Sequence, residues 1–433
     1  MFFPRRVLCV VSSFLIITAA PPAFAKPKDT HSLPPRATAQ VDHIVVVMME
    51  NRSFDHLLGW LPNANGMQSG LTYPAKDGNS HSTAPLAPDY QGCAHPDPDH
   101  SWEGGRIEYN DGKMDGVLLA GMNDDYAIGF YGETDRPFHS ALARAYTTFD
   151  NFFSSILAET YPNRIFMHAA QTDRLENSLA LSTLPTIWDR LSEKRVSARY
   201  YYSDVSFLWL WGTKYLPISA RYEQFLADAA AGTLPSVAFV EPRFFSEELG
   251  TSNDDHPHAD IRAGDAFLAQ TFHAVATGPA WGSTVFIVTY DEWGGFFDHV
   301  APPRAVAPNT VDSDLVGGKA LLGMRIPVVV ASPFTRGDPA SPRVISEVFD
   351  NTSILKLIEW RWNLKPLTAR DASTDVGNLA FALDFADPQP TVPALPNPEP
   401  PRDVPECTPL PFPVEIGLED LELLDPFRVA PTP

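Results

Sequence analysis

The chain has 433 residues, of which 44% are hydrophobic and 20% charged, and its formal net charge is −21. These proportions are typical of a globular protein with a sizeable core and exclude a largely disordered chain. The charge argues against a nucleic-acid-binding protein. Such proteins need a basic surface, whereas 53 acidic residues here outnumber 32 basic ones.

The amino terminus has the pattern of a signal peptide. Arg5 and Arg6 precede an apolar stretch over residues 7–19, and a small-residue cleavage pattern ends at Ala25. Removing residues 1–25 would leave 30 basic against 53 acidic residues, a net charge of −23. We therefore expect a secreted or periplasmic protein, with the general and the twin-arginine export routes both open. No later stretch is apolar enough to anchor the mature chain across a membrane.

The mature chain would keep two cysteines, Cys93 and Cys407, because Cys9 lies in the predicted signal. Two cysteines cannot build a cysteine-rich zinc site, so any metal should bind mainly oxygen and imidazole ligands. An oxidising compartment would permit a disulfide between them, but the sequence does not show how far apart they lie. Paired and free cysteines therefore both remain open.

The predicted elements alternate between strands and helices. Apolar runs rich in β-branched residues predict strands buried on both faces at residues 44–49, 236–240, 284–290 and 326–331. Helical periodicity follows over residues 261–275 and again over 354–358, where Asp350 is a candidate N-cap. This alternation predicts an α/β fold with a mainly parallel sheet sandwiched by helices.

Composition changes along the chain suggest its organisation. Residues 26–40 are polar and are expected to be a disordered lead-in, and residues 41–387 are expected to form one domain. Within it, residues 60–115 have little periodicity and are expected to form a long irregular insertion on the substrate side of the sheet. The tail over residues 388–433 holds 14 prolines, too many for a helix or an interior strand. It should wrap the surface or stay mobile, with Cys407 as a point of attachment.

Two acidic clusters follow predicted strands. Glu50 and Asn51 come after the first strand, and Asp291 and Glu292 come after the third. Ligands of open α/β sheets bind beyond the carboxyl ends of the strands, and carboxylates gathered there repel one another unless a cation lies between them. The oxygen-rich set predicts one divalent ion, with calcium, magnesium, manganese, iron and zinc all open. The alternative is that both clusters are solvated strand ends.

Longer motifs contain these clusters. They are Glu-Asn-Arg-Ser-Phe-Asp-His at 50–56, Asp-Asn-Phe-Phe at 150–153, Thr-Tyr-Pro-Asn-Arg at 160–164, Thr-Tyr-Asp-Glu-Trp-Gly-Gly-Phe-Phe-Asp-His-Val at 289–300 and Arg-Ile-Pro-Val at 325–328. In their order and length they resemble the signatures of a bacterial phosphoesterase family. That family contains phosphatidylcholine-type phospholipases C and acid phosphatases and has an alkaline-phosphatase-like fold. The resemblance covers roughly residues 41–385 and implies that the expected domain at 41–387 is a phosphoesterase catalytic domain.

The resemblance implies that Thr160 is a nucleophile which also contacts the metal, beside the ligands Glu50, Asn51, Asp291 and Glu292. Attack of its hydroxyl on phosphorus would form a phosphothreonine that water then hydrolyses. From the residues alone, the segment around Thr160 predicts no more than an ordinary turn.

Other polar residues of the motifs have predicted supporting roles. The resemblance implies that His100 and His256 divide two tasks, protonation of the leaving oxygen and binding of a non-bridging phosphoryl oxygen. His258 is a companion in substrate binding, and Asp298 and His299 are expected to orient the metal ligands. Asn163 and Arg164 either contact the phosphate or hold the nucleophile loop.

Two departures from the family pattern bear on function. Asn351 stands where the family often has histidine, so this chain lacks the imidazole at that position. The long accessory domains of larger phospholipases C are absent, so lipid-surface binding cannot be inferred from them.

The substrate prediction favours a phospholipase C that cleaves phosphatidylcholine-type lipids, because the acid phosphatases of the family tend to use serine at the position of Thr160. A choline head group could bind in a cage of aromatic rings drawn from Trp102, Tyr126, Tyr131, Trp209 and Trp211, although packing in the core is the alternative for each. A strongly acidic protein also suits a zwitterionic lipid or a soluble ester better than an anionic membrane. The alternatives are an acid phosphatase acting on phosphomonoesters and an exported binding protein without catalysis.

Overall fold

The computed structural model describes residues 32–247, 249–408 and 416–427. The predicted signal peptide, residues 1–25, lies outside the described residues, as does the first part of the predicted lead-in at 26–40. Within the described part of that lead-in, Arg36–Thr38 forms a single turn of 3₁₀ helix.

The described residues form seventeen strands and nine α-helices. The strands are β1 (His43–Met49), β2 (Thr72–Pro74), β3 (Ser80–Ser82), β4 (Ala84–Pro85), β5 (Gly129–Phe130), β6 (Thr147–Phe149), β7 (Phe152–Phe153), β8 (Ala198–Tyr202), β9 (Ser219–Arg221), β10 (Val237–Val240), β11 (Thr284–Tyr290), β12 (Arg304–Val306), β13 (Leu315–Val316), β14 (Lys319–Leu321), β15 (Val328–Ala331), β16 (Arg343–Ile345) and β17 (Phe349–Asp350). The helices are α1 (Phe54–Leu58), α2 (Trp102–Tyr109), α3 (Pro137–Ala145), α4 (Thr160–Ala169), α5 (Ile187–Glu193), α6 (Tyr222–Ala231), α7 (Ile261–Ala276), α8 (Thr352–Trp362) and α9 (Ala369–Ala372). Among these described helices, none combines the length and the hydropathy that crossing a bilayer requires.

Eight strands form the central sheet in the order β16-β6-β15-β11-β1-β10-β8-β9. Neighbouring strands run parallel except at β15, which is antiparallel to both β11 and β6. The α/β fold with a mainly parallel sheet is therefore confirmed. The four predicted strands correspond to β1, β10, β11 and β15, and their residues are almost all buried.

The register of the two central strands sets the position of the acidic clusters. β1 and β11 run parallel with Met49 opposite Tyr290, so both strands end at the same level. Glu50 and Asp291 follow directly, and the Asp291 N–H donates to the Met49 carbonyl at 3.2 Å. Residues 241 positions apart in the chain therefore emerge side by side at the carboxyl edge of the sheet.

The segment 60–115 is more regular than its sequence predicts. It contains the antiparallel pair β2 and β3 as well as α2, which Ser101 caps by accepting the Gly104 N–H at 2.9 Å. The prediction of an irregular insertion is wrong over α2, because Gly104 and Gly105 lower the helical propensity of the sequence. A Cβ at Gly104 would lie 2.2 Å from the Asp99 carboxylate, so close packing explains that glycine.

The tail is attached to the domain by a disulfide between Cys93 and Cys407, whose Cα atoms lie 5.1 Å apart. Residues Leu418–Leu424 form a 3₁₀ helix with Leu418 and Leu421 fully buried. The expectation of no helix in the tail is wrong for this stretch because its prolines stop at position 413 and resume at 426. Residues 409–415 and 428–433 lie outside the described residues.

The start of α8 lies close to the predicted position. The helix begins at Thr352 with Asn351 as its N-cap residue, so the predicted N-cap, Asp350, is displaced by one position. The Asp350 carboxylate nevertheless accepts the Thr352 N–H at 2.9 Å and the Thr352 hydroxyl at 2.5 Å. It satisfies one of the free N–H groups of the first turn, which is the physical task of a cap.

His168 on α4 gives the core a pH-dependent stability. It packs among the rings of Trp188, Tyr200, Phe207 and Phe239, and burial followed by the charge of Arg164 lowers its pKa to about 3. The folded state therefore keeps His168 neutral, while the unfolded state takes up a proton below about pH 6.5. The contribution of His168 to the free energy of unfolding is therefore fully present above that pH and is lost as the pH falls below it.

We expect His168→Gln to flatten the pH dependence of stability. Between pH 7 and pH 5 the free energy of unfolding of the wild type should fall by about 2 kcal/mol more than that of the variant. Urea unfolding at both pH values measures this difference. The contributions of the other titrating groups to the pH dependence cancel, because both proteins share those groups. Above pH 7 the two curves should run parallel, and an equal fall below pH 7 would contradict the prediction.

Candidate active site

Glu50 and Thr160 meet at the carboxyl end of β1. Thr160 is the first residue of α4, and its Oγ1 donates a hydrogen bond of 3.0 Å to Oε1 of Glu50. Both residues are buried, with 1% and 2% of their surfaces exposed. The structure therefore brings the predicted nucleophile together with a predicted metal ligand.

Asp291 and Glu292 lie at the end of the neighbouring strand. Asp291 Oδ1 accepts the Glu292 N–H at 2.8 Å, and Glu292 Oε2 accepts the Gly294 N–H at 2.7 Å. The other oxygen of Glu292 lies 2.8 Å from Nδ1 of His100. This contact joins His100, one of the two histidines predicted to share the tasks of proton donor and phosphoryl contact, to the predicted ligand set.

Arg164 lies among three buried carboxylates. Its Nε donates to Asp291 Oδ2 at 2.8 Å, its Nη1 to Glu241 Oε1 at 3.3 Å, and its Nη2 lies 3.9 Å from Glu50 Oε2. The sequence predicts a phosphate contact or loop support for Arg164, but it does not predict this role as the counter-charge of Glu50 and Asp291. Glu241 directly follows β10. It is likewise absent from the predicted site, because the sequence does not show that Arg164 contacts it.

Burial shifts the acidity of this group of carboxyls. It raises the pKa of Glu50 to about 7, against the opposing charge of Arg164, and it raises the pKa of Glu241 to about 7 as well. Burial also raises the pKa of Asp291 well above its ordinary value, and Glu50 and Glu292 add to that rise by repulsion. One arginine therefore does not fully offset the cost of placing these carboxylates together.

Unpartnered oxygen atoms at the same strand ends fit a divalent cation. Among the described residues, neither side-chain atom of Asn51 has a hydrogen-bond partner, although the residue is fully buried, and the same holds for Glu50 Oε2. Glu50 also forms a cluster with Glu247 and Asp254, whose ligand atoms lie within 4.8 Å of one another. Buried oxygen donors without partners suit a hard or borderline divalent ion, whereas a buried polar atom left alone is costly.

Asn351, at the position where the sequence departs from the family pattern, contacts the site. Its Nδ2 donates to the Asp291 carbonyl at 3.1 Å, and its Oδ1 is buried without a hydrogen-bond partner among the described residues. The amide thus connects the start of α8 to the end of β11.

His256 lies near Glu50, since its charge lowers the pKa of that carboxyl. Its Nε2 is 3.4 Å from Oδ2 of Asp97, a residue that the predicted site does not include. Although burial opposes ionisation, His256 and His100 hold the pKa of Asp97 below its ordinary value. The His258 ring centre lies 5.9 Å from that of His256, and the His258 Nε2 is 3.1 Å from the His95 carbonyl.

The backbone on both sides of His256 is held by buried side chains. Arg52 donates from Nε to the Asp255 carbonyl at 2.7 Å and from Nη2 to the His256 carbonyl at 3.0 Å. Tyr126 donates to the Pro257 carbonyl at 2.5 Å. Asp255 itself has a φ of +79°, a strained value for a residue with a side chain, and such strain persists only where the surroundings fix it. Arg52 lies in the first motif, but its partner 203 residues away cannot be read from spacing.

Asn163 holds the loop before the nucleophile. Its Nδ2 donates to the carbonyls of Ile156, Ala158 and Glu159 at 3.1, 2.7 and 3.1 Å, and its Oδ1 accepts the Ile156 N–H at 3.1 Å. Of the two predicted roles, loop support and substrate binding, these contacts match loop support.

Asp298 and His299 contact another part of the fold than the predicted metal ligands. Asp298 accepts from Arg325 Nε at 2.8 Å, and the His299 Nδ1 lies 2.5 Å from Asp55 Oδ2. Arg325 also donates to Asp55 Oδ1 at 3.0 Å, so one guanidinium joins both carboxylates. These contacts fix Asp55 at the start of α1, and the role of Asp298 and His299 in orienting metal ligands stays a prediction.

The five aromatic residues proposed for a choline cage all have packing partners within the fold. Trp209 and Trp211 pack in the main core, and Tyr126 and Tyr131 are buried with 1% and 0% of their surfaces exposed. Trp102 already carries the Arg106 guanidinium at 3.5 Å from its ring. Packing, the alternative that the sequence leaves open, accounts for all five.

Two solved structures give an outside comparison of the fold. The chain is similar to a protein of the alkaline phosphatase superfamily from Vibrio parahaemolyticus, at a TM-score of 0.40 and 10% identity, with 81% of this chain and 74% of the other covered. It is also similar to the lipoteichoic acid synthase LtaP from Listeria monocytogenes, at a TM-score of 0.42 and 8% identity, with 82% and 80% covered.

Sequence relatives are more informative. The chain is 31% identical to non-specific phospholipase C1 of Arabidopsis thaliana over 410 residues, which cover 85% of this chain and 75% of the relative. It is 30% identical to phospholipase C A of Mycobacterium tuberculosis over 474 aligned positions, which cover 91% and 87%. The model of the phosphoesterase family matches residues 41–365. The chain therefore belongs to the phosphoesterase family, and it is a hydrolase that acts on phosphoric esters.

Proposed function

We propose that the protein is an exported, metal-dependent phospholipase C that cleaves phosphatidylcholine-type lipids through a phosphothreonine intermediate. The observation that carries the proposal is the 3.0 Å hydrogen bond from Thr160 Oγ1 to Glu50 Oε1 at the carboxyl edge of the sheet. Two supports come from outside the site: the relatives are named phospholipases C, and the Cys93–Cys407 disulfide suits an oxidising compartment.

Thr160 is the proposed nucleophile. Its Oγ1 forms a bond to phosphorus, the bond from phosphorus to the diacylglycerol oxygen breaks, and the hydroxyl proton leaves toward Glu50. Water then attacks the phosphothreonine, which releases the phosphorylated head group and restores the hydroxyl. The residues proposed to hold a divalent ion are Glu50, Asn51, Thr160, Asp291 and Glu292. When bound, such an ion supplies positive charge that activates the hydroxyl and polarises the phosphoryl group.

One of the two histidines, His100 and His256, is proposed to protonate the leaving group, and the other to bind a non-bridging phosphoryl oxygen. Glu292 orients the His100 ring through its 2.8 Å contact, and Asp97 lies beside His256. A positioned imidazole can deliver a proton to the departing alkoxide. His258 remains a predicted substrate contact beside them.

A phosphomonoesterase is the second candidate, and one observation favours it. Of the aromatic residues proposed for a choline cage, Trp209 and Trp211 pack in the main core and the Trp102 ring is covered by Arg106, so among the described residues these three do not form a cage around the head group. The preference for a phospholipid diester then depends on the relatives named phospholipases C and on threonine at position 160. The preference for a zwitterionic head group depends on the repulsion between an acidic protein and anionic membranes.

We expect phosphatidylcholine to be the better substrate. Its kcat/KM should exceed that of a phosphomonoester such as p-nitrophenyl phosphate by about tenfold or more, which corresponds to ~1.4 kcal/mol of transition-state stabilisation. A preference for the monoester would support the phosphatase instead, and binding of phosphatidylcholine without hydrolysis of either ester would support a binding protein.

Elemental analysis, followed by chelation and by add-back of calcium, magnesium, manganese, iron or zinc, tests whether the protein needs a metal ion and which one.

A further inference from the structure

We propose that Asn177 is a positioning residue that contacts both chain neighbours of Thr160, the backbone of Tyr161 and the side chain of Glu159, and connects them to the carboxyl-terminal segment 416–424. This inference rests on the proposed function, because it assumes that Thr160 is the nucleophile. Asn177 lies in the loop between α4 and α5, outside every motif that the sequence analysis identifies.

The first contact lies after the nucleophile. At the start of α4 the backbone N–H groups have no partner within the helix, and the N-cap residue, Glu159, makes no side-chain cap. Asn177 supplies the missing acceptor, because its Oδ1 accepts the Tyr161 N–H at 2.8 Å. The residue that follows Thr160 is therefore capped from a loop 16 residues further along the chain.

The second contact lies before the nucleophile. The backbone N–H of Asn177 donates to Glu159 Oε2 at 2.5 Å. Asn177 thus contacts both chain neighbours of Thr160. Threonine is β-branched and has few χ1 rotamers, so the direction of its Oγ1 follows the backbone that Asn177 fixes.

The carboxyl-terminal segment supports this arrangement. Asn177 Nδ2 donates to the Ile416 carbonyl at 2.9 Å, and the Tyr161 hydroxyl donates to the Gly417 carbonyl at 2.7 Å. The segment is fixed in turn by the buried side chains of Leu418 and Leu421. One asparagine therefore joins the nucleophile, the loop after α4 and a segment about 240 residues away, and the misplacement of a reacting group by about 1 Å can lower a rate ~100-fold.

The test compares Asn177→Ala with a matched control, Asn378→Ala. Asn378 makes the same kinds of bond elsewhere, since its Oδ1 accepts the Ala380 N–H at 2.9 Å and its Nδ2 donates to the Lys356 carbonyl at 2.8 Å. We expect Asn177→Ala to lower kcat about 10- to 100-fold with KM within about twofold of the wild type. Asn378→Ala should change Tm but not kcat. The substrates are phosphatidylcholine vesicles and p-nitrophenyl phosphate.

Each outcome has one meaning. If Asn177→Ala lowers Tm as much as the control does but keeps the wild-type kcat, its role is structural and the inference is wrong. Asn177→Asp provides a milder variant if Asn177→Ala does not fold: it keeps an oxygen that can accept the Tyr161 N–H but loses the donor to the Ile416 carbonyl. It should lower kcat several-fold at unchanged KM, and a wild-type kcat in it overturns the inference. Full activity in Thr160→Ala would instead refute the proposed nucleophile. An inactive Thr160→Ala beside a fully active Asn177→Ala refutes the positioning role alone.

Discussion

Thr160→Ala should abolish turnover while the protein stays folded. Loss of the nucleophile leaves only the binding and electrostatic parts of catalysis, so kcat should fall by roughly 10⁴-fold or more. Alanine is the best helix former and fits the first position of α4. The loss of one buried hydrogen bond, to Glu50, should cost about 1 kcal/mol of the free energy of unfolding.

Two companion variants make this result specific. Thr160→Ser keeps a hydroxyl at the same place and should retain most of the activity. Thr148→Ala removes another fully buried threonine, whose Oγ1 donates to the Ala143 carbonyl at 3.1 Å, and should leave kcat unchanged. Steady-state kinetics with circular dichroism as a check of folding would measure all three. A Thr160→Ala protein that keeps its turnover would remove Thr160 from the mechanism.

The sheet could be predicted from sequence because its strands are buried on both faces. Such strands appear as unbroken apolar runs, and each run ends where the polar residues of the site begin, as in Met49 followed by Glu50. The direction of β15 could not be predicted in this way, since an apolar run does not show whether its neighbours are parallel. Helix α4, which begins with the proposed nucleophile Thr160, could not be predicted from the sequence either. Thr-Tyr-Pro-Asn has the composition of a turn, yet Pro162 lies in the first turn of α4, where proline is tolerated.

The polar contacts of the site were harder to predict because they join distant parts of the chain. Arg52 reaches carbonyls about 200 residues away, and Arg164 reaches Asp291 across 127 residues. The sequence indicates that carboxylates meet and repel one another, but it does not indicate which cation lies among them. Asp298 shows the same limit: it lies in the same motif as Asp291 and Glu292, yet its partner is Arg325. The separation of two residues along the chain therefore does not predict which residues form such pairs in the folded protein.

Arg164→Met should be among the most destabilising single changes at this site. Arg164 is 1% exposed and contacts Asp291, Glu241 and Glu50, so its loss leaves three buried carboxylates without their counter-charge. Removing one partner of a buried ion pair costs about 3–5 kcal/mol of the free energy of unfolding. Urea unfolding in the presence of a chelator would measure this cost without a bound ion. As a control, Arg190→Met breaks the exposed pair with Glu193 and should cost about 0–1 kcal/mol.

The destabilisation by Arg164→Met should shrink as the pH falls. Arg164 lowers the pKa of Glu50, Glu241 and Asp291, so its loss raises these pKa values further above those of the unfolded chain. A carboxyl whose pKa is higher in the folded state binds more protons there, and its effect on stability becomes less unfavourable as the pH falls through about 7 toward 4.5. The variant should therefore differ most from the wild type near pH 8 and regain part of the difference at pH 5. A difference independent of pH would mean that lost packing, and not unpaired charge, destabilises the variant. Arg164→Lys separates the two contributions, because lysine keeps the charge but cannot contact three carboxylates with one planar group.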